Sequence, residues 1–166
     1  LSKRNLELSE TTGAPARPIL LKIAPDLTDS QVDDIVALCS EVGIAGIIAT
    51  NTTLAREPLL TPAEQVAALG AGGLSGAPLT ERSRQFVAAL YRKTGGRMPI
   101  VGVGGIMSGE DAWQMIRAGA SLVEVYTGFI YGGPGFVAGI NRHLLRRLDE
   151  TGRKSLTEVI GTAAGS

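Results

Sequence analysis

Few side chains in this 166-residue sequence are placed to do chemistry, and those few fall within or just after short apolar runs. Lys22 stands inside Ile19-Leu20-Leu21-Lys22-Ile23-Ala24, a run closed by Pro25. In an extended strand it shares one side with Leu20 and Ala24. A lysine buried there is costly unless an anion pairs with it; the other reading is a lysine that reaches solvent from a strand end. Thr50-Asn51-Thr52-Thr53 ends a second run that begins at Ile44. Asn51 offers a donor and an acceptor together, which suits a ligand rich in amide and carboxylate groups, although the same four residues also make a polar turn into a loop. Gly102-Val103-Gly104-Gly105 and Tyr126-Thr127-Gly128 belong to the ends of a third and a fourth run. Glycine keeps no side chain between the backbone and an anion, and N–H groups at a helix start point at it. One such turn is explained by tight turning alone. Two on consecutive strands favour a phosphate site.

Other reactive side chains read as structural. Cys39 falls on the apolar stripe of a helix and reads as a buried thiol. His143, the single histidine, reads as a solvated surface residue beside Arg142. Trp113 and Tyr91 sit at helical packing positions. Asp26 reads as a carboxylate favoured by a helix start. No Ser/His/Asp triad and no metal cluster can be assembled. A dinucleotide site is disfavoured too, because Gly102 to Met107 lacks the third glycine of that fingerprint and Glu124 lies within a strand rather than at its end.

The elements that must position these residues alternate. The strand over residues 19–24 is followed by a helix opened by Thr28, with Gln31 completing a capping box. Val32, Ile35, Val36 and Cys39 form its stripe and Gly43 ends it. The second strand, 44–50, leads into a long connection, 51–79, holding two proline turns, an Ala-rich segment and Gly72-Gly73-Leu74-Ser75-Gly76. A connection of that length usually has a task. Thr80 is expected to cap the next helix, which buries Phe86, Val87 and Leu90 and stops at Gly95-Gly96. The third strand is Pro99 to Val103. Ser108 caps a helix with Ala112, Met115 and Ile116 inside, and Gly119 stops it. The fourth strand is Ser121 to Tyr126. Pro134 is expected to start the last long helix, and Ser155 and Glu158 a short tail helix. Strands rich in Ile, Val and Leu separated by helices imply parallel pairing, in a doubly wound sheet or a (β/α)8 barrel.

Composition narrows the class. Sixteen basic residues balance sixteen acidic ones, so the basic excess of a nucleic-acid binder is missing. Hydrophobic residues make up 44% and net charge is zero, against disorder. Glycine is 22 of the 166 residues, nearly twice the usual share of roughly 7%. One cysteine excludes an internal disulfide framework and fits a reducing compartment. No apolar run is long enough for a membrane-spanning helix, and no signal-peptide pattern is present. Leu1 is not a natural start residue, and four βα units leave two open strand edges, so the chain reads as a piece of a longer one.

Five stretches, in order, carry a family resemblance: Leu21-Lys22-Ile23-Ala24-Pro25-Asp26-Leu27, Ala49-Thr50-Asn51-Thr52-Thr53, Gly72-Gly73-Leu74-Ser75-Gly76-Ala77-Pro78-Leu79, Pro99 to Ile106, and Ala118 to Val123. Together they resemble dihydroorotate dehydrogenase, and the first and third are similar to class 2, its membrane-associated, quinone-using branch. The resemblance implies an FMN-binding (β/α)8 barrel. This chain would supply about strands five to eight, with 1–18 as a polar helix end and linker and 19–166 as the half-barrel. Lys22 would meet the flavin ring and stabilise its reduced, anionic form. Thr50, Gly76, Gly104, Gly105, Tyr126 and Thr127 would bind FMN, with Gly105, Tyr126 and Thr127 around its phosphate. Asn51 and Thr52 would hydrogen-bond dihydroorotate or orotate. The implied reaction, a step of de novo pyrimidine biosynthesis, removes a proton from C5 while hydride passes from C6 to FMN, and a quinone takes the electrons.

In class 2 the base is a serine on a loop after the fourth strand of the barrel, within a motif that these residues do not contain. No catalytic residue is therefore expected in this chain, and the base is expected in the N-terminal half of the barrel. Ser75 belongs to the FMN loop and is not that base. The implied partners are dihydroorotate or orotate, a quinone and the N-terminal half, with no nucleic acid and no metal. In a bacterium the intact protein would sit peripherally on the cytoplasmic membrane. Two other readings remain: a phosphate-binding barrel isomerase or lyase without flavin, which leaves Lys22 and the Thr50–Thr53 segment unexplained, and a non-catalytic half-barrel.

Overall fold

A computed structural model describes residues 1–57 and 59–165. Helix α1 (Ser2–Thr12) ends at Gly13 in the left-handed region and buries none of its residues. Strand β1 (Leu20–Ile23) leads to α2 (Asp29–Glu41), whose start carries the full capping box: Thr28 Oγ1 accepts from the Gln31 N–H, and Gln31 Oε1 from the Thr28 N–H. Strand β2 (Gly46–Ala49) opens the long connection, which holds the short helix α3 (Ala63–Ala68). Pro58, in its proline-turn stretch, lies outside the described residues. Helix α4 (Thr80–Thr94), β3 (Ile100–Val103), α5 (Gly109–Ala118) and β4 (Leu122–Glu124) follow. Then come α6 (Thr127–Gly132) and α7 (Phe136–Thr151).

The four strands form one parallel sheet in sequence order. Register puts Ile23, Ala49, Gly102 and Val123 in one row and Lys22, Ile48, Val101 and Leu122 in the next. Because successive side chains alternate, these rows face opposite sides. The first belongs to the core, where α2, α4, α5 and α7 bring Val32, Cys39, Val87, Leu90, Trp113, Met115, Ile140 and Leu144 against the sheet. On the second face Leu20, Lys22, Leu122 and Glu124 are exposed, on the two edge strands. Lys22 is thus not the buried lysine of the first sequence reading. It reaches open space because β1 is an edge strand and its own face carries no covering layer among the described residues.

Four local expectations are corrected. Thr80 does not cap α4. The chain enters that helix through a 3₁₀ turn (Ala77–Leu79), so Leu79 is already helical and the Thr80 hydroxyl donates instead to the Gly105 carbonyl at 2.6 Å. Pro134 does not start α7. The unforeseen α6 comes first, and Pro134 lies in the turn before the N-cap Gly135. His143 is half-buried rather than solvated, because α7 packs on α5: its Nε2 lies 3.0 Å from Glu110 Oε2 and its Nδ1 2.9 Å from an Arg146 nitrogen. The packing readings of Cys39 and Trp113 hold, at 1% and 2% exposure, whereas Asp26 lies outside the first turn of α2 and bonds Thr53, Leu54 and Arg82 instead. Burial raises the Cys39 thiol above its ordinary pKa, which keeps it protonated and unreactive.

Candidate functional site

Lys22 of β1 and the ends of and loops after β2, β3 and β4 surround a cleft of about 310 Å³. All nine residues singled out from the sequence line it: Lys22, Thr50, Asn51, Thr52, Gly76, Gly104, Gly105, Tyr126 and Thr127. In a parallel α/β architecture, the carboxyl ends of the strands are where a site is built.

Each is placed by its own local structure. Lys22 projects from β1 on the open face and, among the described residues, has no ion-pair or hydrogen-bond partner. The segment after β2 is held at both ends. The Thr50 N–H donates to the Val103 carbonyl at 2.7 Å, and its buried hydroxyl lies 3.1 Å from the Ser83 hydroxyl of α4. At the other end Thr53, 3% exposed, donates from its hydroxyl to Asp26 Oδ1 at 2.6 Å and forms a reciprocal backbone bridge with Leu74. Between these anchors, the Asn51 N–H bonds the Ile23 carbonyl. The Asn51 and Thr52 side chains are exposed to the cleft and hydrogen-bonded to no described residue. The bridge to Leu74 draws the glycine loop over the segment, and Arg56 reinforces it by donating to the carbonyls of Thr53, Leu54, Ala55 and Gly72.

The opposite wall is made by the two glycine turns. Gly105 takes a φ of 72°, and a Cβ on it would lie 2.2 Å from the Thr80 backbone nitrogen. Only glycine therefore lets α4 start against this turn. The N–H groups of Gly104, Gly105, Thr127 and Gly128 donate to no described residue. Thr127 ties the turn after β4 to the glycine loop by donating from its hydroxyl to Ser75 Oγ at 3.0 Å.

One cation, one carboxylate (Glu124), hydroxyls at Thr50, Thr52, Ser75 and Thr127 and the Asn51 amide line the cleft. Among the described residues no group of His, Cys, Asp and Glu could hold a metal. Free N–H groups in two adjoining turns suit a phosphate, and the cation suits a second electron-rich group across the cleft. The volume lies within the range of small-molecule and cofactor sites. These residues fit a phosphate-bearing small molecule with a polar group beside it.

Comparison with known proteins agrees with the geometry. The family model described as dihydroorotate dehydrogenase matches residues 2–148. The chain belongs to the dihydroorotate dehydrogenase family. It is 52% identical over 144 residues to the dihydroorotate dehydrogenase (quinone) of Nocardia farcinica, covering 87% of this chain and 39% of that protein. With the protein of the same name from Rhodococcus erythropolis it shares 50% over 144 residues, covering 87% and 40%. Among solved structures, the ligand-free dihydroorotate dehydrogenase of Eimeria tenella superposes with a TM-score of 0.83 at 40% identity, covering 90% of this chain and 41% of that one. The chain thus spans about two fifths of the length of the curated relatives it matches. The α/β fold is that of this barrel family, and a parallel sheet with helices on one face is what part of such a barrel presents.

Sequence reasoning passed over two residues that shape the site of this family member. Asp26 holds Thr53, and Ser83 holds Thr50. The signal for Asp26 was its position directly after a strand's carboxyl end. For Ser83 no signal was available, since it is one polar residue within a helix.

Proposed function

We propose that this chain supplies strands five to eight of an FMN-binding (β/α)8 barrel that oxidises dihydroorotate to orotate in pyrimidine biosynthesis, with a quinone as electron acceptor. Residues 1–18 would lead into it and 19–166 form the half-barrel. The remaining strands and the serine base would come from sequence outside these residues. The observation that carries the reading is the convergence of Lys22, the Asn51-Thr52 pair and both glycine turns on one cleft. The exposed face of the sheet, with Leu20 and Leu122 at its edges, supports a further layer there.

When bound, FMN would supply the redox chemistry, as hydride acceptor from the substrate and electron donor toward a quinone. This chain's residues bind and orient. The N–H groups of Gly104, Gly105, Thr127 and Gly128 hold the phosphate, and Tyr126, Thr50 and Gly76 border the cofactor. Lys22 places a positive charge at the cleft wall where negative charge develops. Asn51 and Thr52 hydrogen-bond the pyrimidine, fixing C5 and C6 for a base carried elsewhere. Among the described residues no helix is long and apolar enough to cross a membrane, and a peripheral position on the membrane fits use of a quinone.

The test is to purify the complete barrel containing this chain, record the flavin spectrum and follow orotate formation with a soluble quinone analogue. Yellow protein with that turnover supports the reading. Colourless protein that converts a phosphorylated sugar instead would favour a flavin-free isomerase or lyase.

A further inference from the structure

We propose that Asp26 is a positioning residue for the substrate: clamped by Arg82, its carboxylate sets the backbone from which Asn51 and Thr52 reach the cleft. The inference rests on the reading of those two residues as substrate ligands.

The geometry is a chain of contacts from α4 to the loop after β2. Arg82 donates from Nε and one terminal nitrogen to the Pro25 carbonyl at 3.2 and 3.1 Å, and that terminal nitrogen pairs with Asp26 Oδ1 at 2.9 Å. One carboxylate then takes two donors from the segment after β2: the Thr53 hydroxyl at 2.6 Å on Oδ1 and the Leu54 N–H at 3.0 Å on Oδ2. Asp26 does not line the cleft; it acts through Thr53 and the Leu54 N–H. Burial works to raise its carboxyl, but the bonds from Thr53 and Leu54 and the Arg82 charge outweigh it and hold the group below its ordinary value. The clamp therefore works in its charged form, as charge-assisted bonds do. Thr50 is anchored separately, through Ser83 and Val103. Removing Asp26 strips the side-chain anchor from one end of the Asn51-Thr52 segment, leaving only the backbone bridge to Leu74 there, while the Thr50 end keeps its anchors.

The experiment uses the complete, flavin-loaded barrel and measures orotate binding through the flavin spectrum, KM and kcat for dihydroorotate, and FMN content. Asp26→Ala and the near-isosteric Thr53→Val are each expected to weaken orotate binding and raise KM about tenfold, the effect of a lost charged hydrogen bond, with FMN content unchanged. In the Asp26→Ala background, Thr53→Val should add less than twofold. Thr53→Ser, which keeps the hydroxyl, should bind orotate like the wild type. Asn51→Ala is the arm that tests the underlying reading. If it leaves orotate binding unchanged, that reading fails and this inference with it. If Asn51→Ala weakens binding while Thr53→Val stays within twofold of wild type, the positioning role alone is overturned. Thr53→Val decides the matter even if Asp26→Ala does not fold.

Discussion

The hydroxyls of Thr50 and Ser83 meet at 3.1 Å inside the core, and Gly104 closes over the pair. A Cβ on Gly104 would come within 2.6 Å of Ser83 Oγ and 3.3 Å of Thr50 Oγ1. The end of β2, the start of α4 and the turn after β3 are thereby packed at a single point beneath the cleft. Gly104 also takes a φ of 110°, a backbone conformation that strains any L side chain.

This contact predicts a graded response. Ser83→Ala leaves Thr50 with its longer bond to the Val103 carbonyl at 3.4 Å, so the expected loss is about 1 kcal/mol. Gly104→Ala adds strain and collision and should cost more, roughly 2–4 kcal/mol. In the double variant the Ser83 oxygen is gone, so the combined loss should be smaller than the sum of the two single losses. Urea unfolding of the flavin-loaded barrel, read as a midpoint change at constant slope, measures all three. Strict additivity would mean that the two side chains do not compete for that space.

Lys22→Ala should separate function from folding. The lysine is exposed and has no partner among the described residues, so its removal should change stability by no more than about 0.5 kcal/mol. The charge it brings to the cleft is worth roughly 1.5–3 kcal/mol toward an anionic partner. Rapid mixing of the oxidised variant with dihydroorotate without oxygen should show flavin reduction slowed by at least tenfold. A normal reduction rate would remove Lys22 from the chemistry.

Much of this arrangement was legible in the sequence because it is local. The apolar runs, the capping box at Thr28 and the stop at Gly119 each depend on residues within one element, and the five motif stretches carried all the expected cleft residues but Tyr126 and Thr127. What stayed hidden depends on distant partners. Asp26 looked like a helix-start carboxylate because its real partners are 27 and 56 residues away, at Thr53 and on Arg82. His143 looked solvated because nothing near it in sequence announces Glu110. The choice between a buried and a solvent-reaching Lys22 could not be made from sequence, since it depends on whether another layer covers that face of the sheet. Residues 127–132 hide α6 for another reason: six residues with two glycines carry no helical periodicity.

The Glu110 cluster predicts an acid response. Burial works to raise this carboxyl, but hydrogen bonds from Gln114 and His143 and the charges of Arg147 and His143 outweigh it, holding it below its ordinary 4.5. A carboxyl lowered on folding stabilises the protein above its unfolded value and loses that contribution as pH falls through its folded one. The stability difference between wild type and Glu110→Gln should therefore be steady above about pH 5, then shrink below 4.5. Because Glu110 is 47% exposed at its side chain, solvent screening keeps the difference small. Unfolding midpoints across that range test the sign, and a gap that widens in acid would contradict it.

Asn51→Ala should weaken orotate binding while FMN content stays near normal. Asn51 is exposed to the cleft with no partner among the described residues, so the fold does not use its amide. Deleting it leaves a ligand polar group unpaired, at a cost of about 1–3 kcal/mol, or roughly 5- to 150-fold in affinity. Orotate titration through the flavin spectrum measures this, and unchanged affinity would count against a substrate role.

These 166 residues, expressed by themselves, should not oxidise dihydroorotate. The sheet has four strands, with β1 and β4 as its edges, and four parallel strands do not close a barrel. The cleft is thus open on one side, where the face that carries Lys22 and Leu122 meets water. Water there weakens every electrostatic contact the cleft makes with a ligand. On the proposed reading the base for C5 lies outside these residues, and general-base catalysis typically contributes 10²–10⁴-fold. Weak FMN binding should survive, because both glycine turns and the Ser75–Thr127 contact lie within these residues. The check is to add FMN, dihydroorotate and a soluble quinone analogue to the purified chain, then follow flavin fluorescence and orotate formation separately. Retained flavin binding without orotate is the expected pair of results. Turnover at the rate of the complete barrel would place the base within this chain, with Ser75 and Glu124 as the groups in the cleft to substitute first.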